Sequence, residues 1–422
     1  MRFYKMIKPY CDIATIRHYK YSNFSFLELL KIFPSKDQLH NPYPFYSTMR
    51  RYNPIAFDNK NNICGIFGYH DAKSILSNDN ATETNRLVPI VKNSLVSLLT
   101  SRLTSRLETR IEEITDDLLN KVMGQEKMDI MSDLARPLSM QVITELMGLP
   151  TEDMHIFEKW TSNFTRSLSL SVADYIYEDE KKPSTCIKDE KRDVTIKSLQ
   201  KLGREILNQQ LYDEMNDYFH RTIQNRGKSQ SYDIIGYFKD HSVDKQQQQN
   251  FLTICRSLII AGQLTTRMLI GNTILSLLEN PLELRDLQEN PSLIHSAIEE
   301  SLRYRSPLQL ITRHIIKEVT ISGCTLVPGQ RIFIWLGSAN RDESFFSEPD
   351  RFNIRRDKND HLSFGFGIRR CPGWALGLME TRIALTVCFK RLKNLSLCKD
   401  NQQLINSSIF FCGPDNLNLN FN

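Results

Sequence analysis

Apolar side chains recur at helical spacing over most of the chain up to about residue 310. In the stretch 105–122, aliphatic side chains share one helical face and charged side chains take the other positions. The aliphatic positions are Leu107, Ile111, Ile114, Leu118 and Leu119. A second helical pattern covers 133–148 and is closed by the sequence Gly-Leu-Pro at 148–150. Both patterns predict helices that pack on a hydrophobic core.

Beyond Pro307 the pattern changes to short alternating runs, at 312–321 and 331–335, with the turn residues Pro328 and Gly329 between them. These runs predict short strands. With 422 residues, of which 41% are hydrophobic, the chain is long enough to bury a large core. We find no internal repeat, and the sequence therefore predicts a mainly α fold with a minor β region.

Two segments stand apart from the helical pattern. The first forty residues are polar or mixed, and their most apolar stretch, 24–33, is interrupted by polar and charged side chains and is too short to cross a bilayer. We therefore expect an N-terminal extension over 1–40 without a membrane anchor, followed by one large domain over 41–422. Within that domain, the charged tract 178–205 has few apolar positions and predicts an exposed, mobile insertion.

Charge and cysteine content narrow the function classes. The net charge of +5 is small for 422 residues, and the basic residues are spread along the chain. Nucleic-acid-binding proteins instead cluster them, so we expect no nucleic-acid partner. The nine cysteines are an odd number and widely scattered, without a Cys-x-x-Cys pair or a secretory signal. This pattern favours reduced thiols in a cytoplasmic, soluble protein over a disulfide framework or a zinc site.

One cysteine, Cys371, follows a glycine-rich run at 361–370. The glycines permit a tight loop, and Pro372 and Gly373 mark the change into an apolar helix that begins near Trp374. A cysteine at a helix N-terminus meets backbone N–H donors and the positive end of the helix dipole, which favour a thiolate. The alternative is a small buried hydrophobic side chain. We adopt that alternative for Cys64, Cys255, Cys324, Cys388, Cys398 and Cys412.

The run around Cys371 resembles the heme-binding signature of the cytochrome P-450 family, Phe-x-x-Gly-x-Arg/His-x-Cys-x-Gly. All five fixed positions are met, by Phe364, Gly367, Arg369, Cys371 and Gly373. The resemblance covers about residue 41 to the C-terminus apart from the charged insertion, in the style of the soluble bacterial members. It implies the cytochrome P-450 fold and a heme b cofactor held by this loop, which includes Gly365, with Cys371 as the thiolate ligand to the iron.

A second matching segment is the Glu-x-x-Arg at 300–303, at the family's expected distance upstream of the cysteine loop. In a helix, Glu300 and Arg303 share a face, so an ion pair between them is feasible. On its own, such a pair is most often a solvated surface pair. By resemblance, these two residues join Arg351 in a buried network that supports the region behind the heme.

A third segment, 258–266, lies within a long apolar helix predicted from about 251 to 278. It resembles the family's oxygen-activation motif, Ala-Gly-x-Asp/Glu-Thr-Thr, through Ala261, Gly262, Thr265 and Thr266. The two small residues allow a flat cofactor and a ligand to approach the helix closely. The hydroxyl of Thr265 can donate to the carbonyl oxygen of Ala261.

Leu264 stands where this motif has its acid. A positioned proton donor contributes roughly a hundred-fold to ten-thousand-fold to a reaction rate, and a leucine cannot relay protons. Thr265, an ordered water or a polar group of the substrate must then deliver the proton.

Heme propionates are anionic and are held by Arg or His side chains. Arg313, His361 and Arg369 match family positions that hold them. The family's helix near 80–95 usually adds a His and an Arg. Those positions fall on Val88 and Ile90, so we expect that clamp to be absent or replaced, by Arg86 or Lys92.

The resemblance implies a heme-thiolate oxidoreductase that hydroxylates, or oxidatively couples, a largely apolar organic substrate in specialised metabolism. The substrate is either a free small molecule or tethered to a carrier protein. Family position alone places in its pocket Leu264, Leu308, Gln309 and Ile311. Two alternatives stay open: a peroxide-dependent or phenol-coupling member, because of Leu264, and a heme- or ligand-binding module without catalysis.

The chain has no flavin or nicotinamide signature, so we expect electrons from a separate ferredoxin or flavodoxin with its reductase. Five cations near the cysteine loop and the following helix could form a basic docking face for such an acidic partner, or could simply be a solvated surface. They are Arg369, Arg370, Lys390, Arg391 and Lys393.

Overall fold

The computed structural model describes residues 41–58, 62–82, 102–177, 209–226, 233–241, 245–398 and 409–422. The predictions for the N-terminal extension, for the charged insertion and for the clamp at 86–92 lie outside the described residues.

Helices make up most of the described chain. They are α1 (Tyr43–Tyr52), α2 (Tyr69–Ser77), α3 (Arg102–Asn120), α4 (Arg136–Met147), α5 (Met154–Tyr177), α6 (Gln209–Asn225), α7 (Ile234–His241), α8 (Lys245–Glu279), α9 (Pro281–Glu289), α10 (Ile294–Tyr304), α11 (Leu336–Ala339) and α12 (Trp374–Arg391). A π-helical turn, Met131–Ala135, precedes α4, and three 3-10 turns cover Thr151–Asp153, Pro291–Leu293 and Gly367–Arg369. The predicted mainly α fold is confirmed.

The two amphipathic patterns form helices where they were predicted. In α3, all five aliphatic positions of the predicted face are buried. The pattern at 133–148 corresponds to the π-helical turn followed by α4, which ends at Gly148 in the left-handed conformation. These helices pack with α8 and α12 around the largest hydrophobic cluster of the described residues.

The long apolar helix predicted at 251–278 is α8, which has 35 residues and contacts α4, α10 and α12. Within the described residues, its segment Phe251–Glu279 is long and apolar enough to cross a membrane. Of an 18-residue apolar window within this segment, 67% is buried inside the protein, which is typical of a core helix.

The strands are short. They are β1 (Ile55–Asp58), β2 (Ile63–Ile66), β3 (Ala81–Thr82), β4 (Lys127–Asp129), β5 (Leu310–Ile315), β6 (Val319–Ile321), β7 (Cys324–Leu326), β8 (Arg331–Trp335), β9 (Ser396–Leu397) and β10 (Asn418–Asn420). A five-stranded sheet has the order β1-β2-β8-β5-β3, in which only β2 and β8 are parallel. β4-β10-β9 and β6-β7 form smaller antiparallel sheets. The large sheet packs with α2 and α11 in a second hydrophobic cluster.

Candidate functional site

The loop that carries Cys371 is fixed by its own backbone hydrogen bonds. The N–H of Gly365 donates to the carbonyl oxygen of Leu362, and the N–H of Cys371 donates to the carbonyl oxygen of Phe364, both at 2.7 Å. Helix α12 begins at Trp374, as predicted. Cys371 therefore lies in a defined position just before a helix N-terminus.

Two glycines make this loop possible. Gly365 and Gly367 both have a φ of +70°, a backbone conformation in which a side chain is strained. At Gly367 a Cβ atom would also lie only 3.2 Å from the carbonyl oxygen of Leu76 in α2. The glycine therefore also permits the loop to approach the end of α2.

Competing influences act on the thiol of Cys371. Burial raises its pKa, whereas a hydrogen bond from the backbone N–H of Gly373 and the charge of Arg370 lower it, and burial prevails. The predicted backbone donor is present and favours the thiolate, whereas desolvation opposes the charged form. A bound metal cation deprotonates a coordinating thiol outright, so thiolate character would come from the metal.

One face of α8 is accessible beside α12. Ala261 is exposed and Thr265, one turn later, is half-buried, whereas Leu264 and Thr266 are buried. The hydroxyl of Thr265 donates to the carbonyl oxygen of Ala261 at 2.9 Å, as predicted. Thr266 lies toward α12, since a Cβ atom at Gly377 would be 3.7 Å from its Oγ1. The helix that follows the cysteine loop thus meets α8 at the turn carrying both threonines.

Gly262, between Ala261 and Thr265, is half-buried. A Cβ atom at this position would be 3.0 Å from Cδ1 of Ile143 in α4. Its missing side chain therefore also allows α8 and α4 to pack closely.

Two of the three predicted propionate ligands lie in surroundings that suit an anion. Nε and Nη1 of Arg369 are buried and have no hydrogen-bond partner among the described residues. Arg313 is buried on β5, and its Nη1 donates to the carbonyl oxygen of Thr312 at 2.8 Å. A buried donor without an acceptor costs about 1–3 kcal/mol. Heme fits this donor set, because its propionates provide the acceptors that Arg369 needs.

His361, the third predicted propionate ligand, has protein partners. Its Nε2 lies 2.8 Å from Oε2 of Glu299, and its Nδ1 lies 3.3 Å from the backbone nitrogen of Ser363. Burial acts to raise the pKa of Glu299, but the hydrogen bond with His361 and nearby positive charges outweigh burial and lower it. Because both ring nitrogens are engaged within the protein, the prediction of His361 as a propionate ligand is wrong.

The predicted ion pair between Glu300 and Arg303 is confirmed. Two hydrogen bonds of 2.8 and 2.9 Å join the fully buried side chains. Arg351 does not join them: its side chain is 59% exposed and pairs with Glu348, and only its carbonyl oxygen accepts from Arg303. The cation beside the pair is Arg356, which is 8% exposed and has its Nε 3.1 Å from Oε2 of Glu300. The prediction for Arg351 is thus corrected to Arg356.

Two polar side chains that the sequence did not single out connect this network to the cysteine loop. The carbonyl oxygen of Asn340 accepts from Arg303, and its Oδ1 accepts from the N–H of Leu362 at 2.7 Å. Its Nδ2 donates to Oγ of Ser363 at 2.8 Å, and that hydroxyl donates to the carbonyl oxygen of Leu302. The sequence assigned no role to either side chain, because both act through partners that are distant along the chain.

Leu264, predicted for the substrate pocket, is a core residue. It is buried and packs with Met268 and Phe411. The prediction of Leu264 as a pocket residue is therefore corrected. Position 264 still lacks the acid of the family's motif.

The other predicted pocket residues lie at the start of β5 or just before it. Gln309 is buried, where it accepts from the hydroxyl of Tyr46 at 3.1 Å and donates to the carbonyl oxygen of Ser306 at 2.6 Å. It therefore belongs to the core, and its prediction as a pocket residue is corrected. Leu308 and Ile311 are half-buried and stay candidates for the pocket wall.

The predicted basic docking face is smaller in the structure. Nε and Nη1 of Arg369 are buried, so its guanidinium faces the protein interior. Arg391 forms an ion pair with Asp116 at 2.8 Å. The guanidinium of Arg370 lies 4.3 Å from the ring of Trp374. The cations that remain exposed are Arg370, Lys390 and Lys393.

Known proteins resemble this chain over most of its length. The family model described as Cytochrome P450 matches residues 89–421. A curated relative, the biotin biosynthesis cytochrome P450 of Bacillus subtilis (strain 168), is 30% identical over 391 residues, which cover 86% of this chain and 92% of the relative.

Solved structures share the fold. P450BioI in complex with hexadec-9Z-enoic acid ligated acyl carrier protein superimposes with a TM-score of 0.74 at 29% identity, covering 92% of this chain and 100% of that chain. CYP109E1 from Bacillus megaterium in complex with testosterone gives a TM-score of 0.74 at 28% identity, covering 90% of this chain and 99% of that chain.

Proposed function

This chain belongs to the cytochrome P450 family and is a heme-binding enzyme of the P450 monooxygenase type, and we propose that Cys371 is the thiolate ligand to its heme iron. One observation carries this proposal: a hydrogen-bonded loop presents Cys371 at the start of α12, which packs against α8 beside the accessible Ala261–Thr265 face. Arg369 and Arg313 would hold the propionates of heme b. We assign the domain to residues 41–422.

A cysteine-ligated heme activates dioxygen, because the thiolate pushes electron density that favours O–O cleavage. The residues of α8 provide the surroundings for that chemistry. Ala261 leaves space on the accessible face, and Thr265 holds a hydroxyl there. Since its hydrogen is directed at the Ala261 carbonyl oxygen, the Thr265 oxygen is left as an acceptor on this face.

The proposed reaction is hydroxylation of a largely apolar organic substrate in specialised metabolism. Half-buried Leu308 and Ile311 give the proposed pocket wall an apolar character. The two similar structures carry a fatty acyl chain on a carrier protein and testosterone, both largely apolar.

Hexadec-9-enoic acid, free and loaded on an acyl carrier protein, can be compared for a spin-state shift of the heme. A shift with the loaded form alone supports a tethered substrate.

A peroxide-dependent or phenol-coupling reaction is the second candidate. The observation that favours it is the apolar packing of Leu264, which leaves no acid at that position. Hydrogen peroxide already carries the protons and electrons that dioxygen lacks. Turnover with hydrogen peroxide and no reductase supports this candidate, whereas turnover only with dioxygen and an electron donor supports the monooxygenase. Membership in the P450 family favours both of these oxidative reactions over a binding module without catalysis.

We propose that electrons come from a separate ferredoxin or flavodoxin with its reductase, in the cytoplasm. The outer side of the cysteine loop offers a mixed docking surface. Its exposed apolar side chains are Phe366, Ile368 and Trp374. Arg370 adds positive charge beside Trp374, which suits an acidic partner.

Replacement of the proposed ligand tests the assignment. The ferrous carbon monoxide complex of the wild type is expected to show the long-wavelength Soret band of a thiolate heme, and Cys371→Ser to lose it. Cys398→Ser is the matched control, because Cys398 is half-buried away from the loop and contacts Asn420. A colourless wild type, or a Cys371→Ser variant that keeps the band, contradicts the proposal.

A further inference from the structure

The hydroxyl of Ser306 lies between the proposed pocket wall and the cysteine loop. Ser306 is buried just after α10, two residues before Leu308. Its Oγ lies 2.9 Å from the carbonyl oxygen of Leu308 and 2.9 Å from Oγ of Ser363, which directly precedes Phe364 in the loop. Ser306 and Ser363 are 57 residues apart in the sequence. One side chain therefore contacts two parts of the site that are distant along the chain.

The number of hydrogens on these hydroxyls limits how they can bond. The Ser363 hydroxyl donates its one hydrogen to the carbonyl oxygen of Leu302 at 2.7 Å. Its oxygen accepts from Nδ2 of Asn340 at 2.8 Å and has a second lone pair for another donor. Between the two serines, Ser306 must therefore be the donor. Because Ser306 also has one hydrogen, it can point that hydrogen at the carbonyl oxygen of Leu308 or at Ser363, but not fully at both.

The backbone of Ser306 is held independently of this choice. Nε2 of Gln309 donates to its carbonyl oxygen at 2.6 Å, and Oε1 of Gln309 accepts from the hydroxyl of Tyr46 at 3.1 Å. Both of these side chains are buried. Rotation of the Ser306 hydroxyl is then sufficient to turn its hydrogen from one acceptor to the other.

The acceptor at Leu308 belongs to a part of the wall that lies beside α8. Leu308 is half-buried and packs against the cluster of Leu264, Met268 and Phe411. Leu264 directly precedes Thr265, which borders the accessible face of α8. The backbone of Leu308 is joined to Phe411 by an isolated bridge, whereas β5, which follows, is paired with both β3 and β8. The wall is therefore most easily displaced at Leu308.

The acceptor at Ser363 belongs to the backbone that holds Cys371. The residue before Ser363 accepts from the N–H of Gly365, and the residue after it, Phe364, accepts from the N–H of Cys371, both at 2.7 Å. A hydrogen that Ser306 points at Ser363 adds the positive end of an O–H dipole beside this backbone. Such a dipole favours the more negative of two charge states, which at an iron site is the reduced one.

We propose that Ser306 is a two-position hydrogen-bond switch, which transmits the position of the pocket wall at Leu308 to the cysteine loop at Ser363. Without a ligand, the two acceptors compete at the same distance of 2.9 Å. A ligand that displaces Leu308 lengthens one contact, and the hydrogen then turns to Ser363. No covalent bond breaks in this step. Ser306 and Ser363 act as positioning residues, and the inference rests on the proposed function because the iron held by Cys371 reports the change.

Imidazole and 4-phenylimidazole are a matched pair of probes for this switch. Both bind heme iron through an imidazole nitrogen, and only the phenyl ring of the second extends into the adjoining pocket. For each holoprotein, the equilibrium constant for reduction of the iron is measured with each probe bound. The value with 4-phenylimidazole is then divided by the value with imidazole. In the wild type this quotient should be at least about two-fold higher than in Ser306→Ala, since one net hydrogen bond corresponds to about two- to twelve-fold in an equilibrium constant.

Further variants separate the switch from packing. Ser363→Ala removes the acceptor and should lower the quotient as Ser306→Ala does, and the double variant should go no lower, because the two hydroxyls act as a unit. Ser363→Thr keeps a hydroxyl and should restore the quotient. Ser276→Ala is the matched control, because Ser276 in α8 is also fully buried and its hydroxyl has no hydrogen-bond partner among the described residues. This control should keep the wild-type quotient.

Two results overturn the proposal. One is a quotient in Ser306→Ala equal to that in Ser276→Ala. The other is a wild type that binds imidazole but not 4-phenylimidazole, since no pocket would then adjoin the wall at Leu308. A wild type without the thiolate-heme band of its ferrous carbon monoxide complex instead overturns the proposed function, and that spectrum is recorded before either probe is added.

Discussion

At the scale of single residues, the exchange of an acid for Leu264 is accompanied by surroundings that suit a leucine. Its side chain is buried against Met268 and Phe411, with half-buried Leu308 against the same cluster. A carboxylate in such a place is desolvated. The leucine that replaces the acid is therefore part of the packing of the core.

Installing the motif's acid should consequently destabilise the protein. We expect Leu264→Glu to lower the free energy of unfolding by about 2–4 kcal/mol, because it buries an unpaired polar group and removes apolar contacts. Leu264→Met conserves volume and should lose less than about 1.5 kcal/mol. Urea unfolding of the two holoproteins at neutral pH compares them directly. Equal midpoints for both variants would show that the site accepts an acid.

Residue roles set by local spacing could be predicted from the sequence, whereas roles set by distant partners could not. The hydrogen bond of Thr265 connects residues four apart, and the sequence predicted it correctly. His361 is engaged by Glu299, which is 62 residues away. Likewise, motif spacing could not tell Arg351 from Arg356, because the choice depends on how the loop after residue 340 folds onto α10.

At the scale of elements, the Glu300–Arg303 pair connects α10 to the segment 340–356. Arg303 donates to the carbonyl oxygens of Asn340 at 3.1 Å and Pro349 at 2.7 Å. Glu300 accepts from the N–H of Asn353 at 2.8 Å. A buried pair of this kind is satisfied only while every partner stays in place, so the network fixes the segment to the helix.

Arg356 and Arg351 form a matched pair for testing this network. Arg356→Gln should lower the free energy of unfolding by about 2–3 kcal/mol, since it removes a buried cation from Glu300. Arg351→Gln should change it by less than about 0.5 kcal/mol, because its side chain is exposed and its carbonyl contact persists. Unfolding in urea gives both values. A larger loss in Arg351→Gln would contradict the assignment of Arg356 to the network.

Like the roles of residues, helices and strands could be predicted where the pattern that specifies them lies within a short stretch of sequence. The helical periodicity of α3 and α8 located both helices. The strands predicted after Pro307 form only part of the main sheet, because β1, β2 and β3 complete it from the other end of the chain. β2 pairs with β8 across more than 260 residues, in register from Ile63 with Arg331. A short strand stabilised by so distant a partner has little pattern of its own.

At the scale of the whole molecule, buried acidic groups link stability to pH. Burial raises the pKa of Glu380 to about 8, from about 4.5 for an unperturbed glutamate. Between these values the folded state holds more protons than the unfolded state, so this group lowers the stability as pH rises. The limiting slope for one such group is about 1.4 kcal/mol per pH unit.

Glu380→Gln should remove this contribution and leave the rest of the pH dependence unchanged. Below pH 4.5 both states of the wild type bind the proton, so the variant and the wild type should differ least there. As pH rises toward 8 the wild type should lose stability relative to Glu380→Gln, because unfolding releases a proton that only burial retains. Urea unfolding of the holoproteins at several pH values measures the difference, with Thr381→Val expected to keep the wild-type slope. Parallel curves for wild type and Glu380→Gln would contradict this prediction, because they would mean that Glu380 is already ionised in the folded protein.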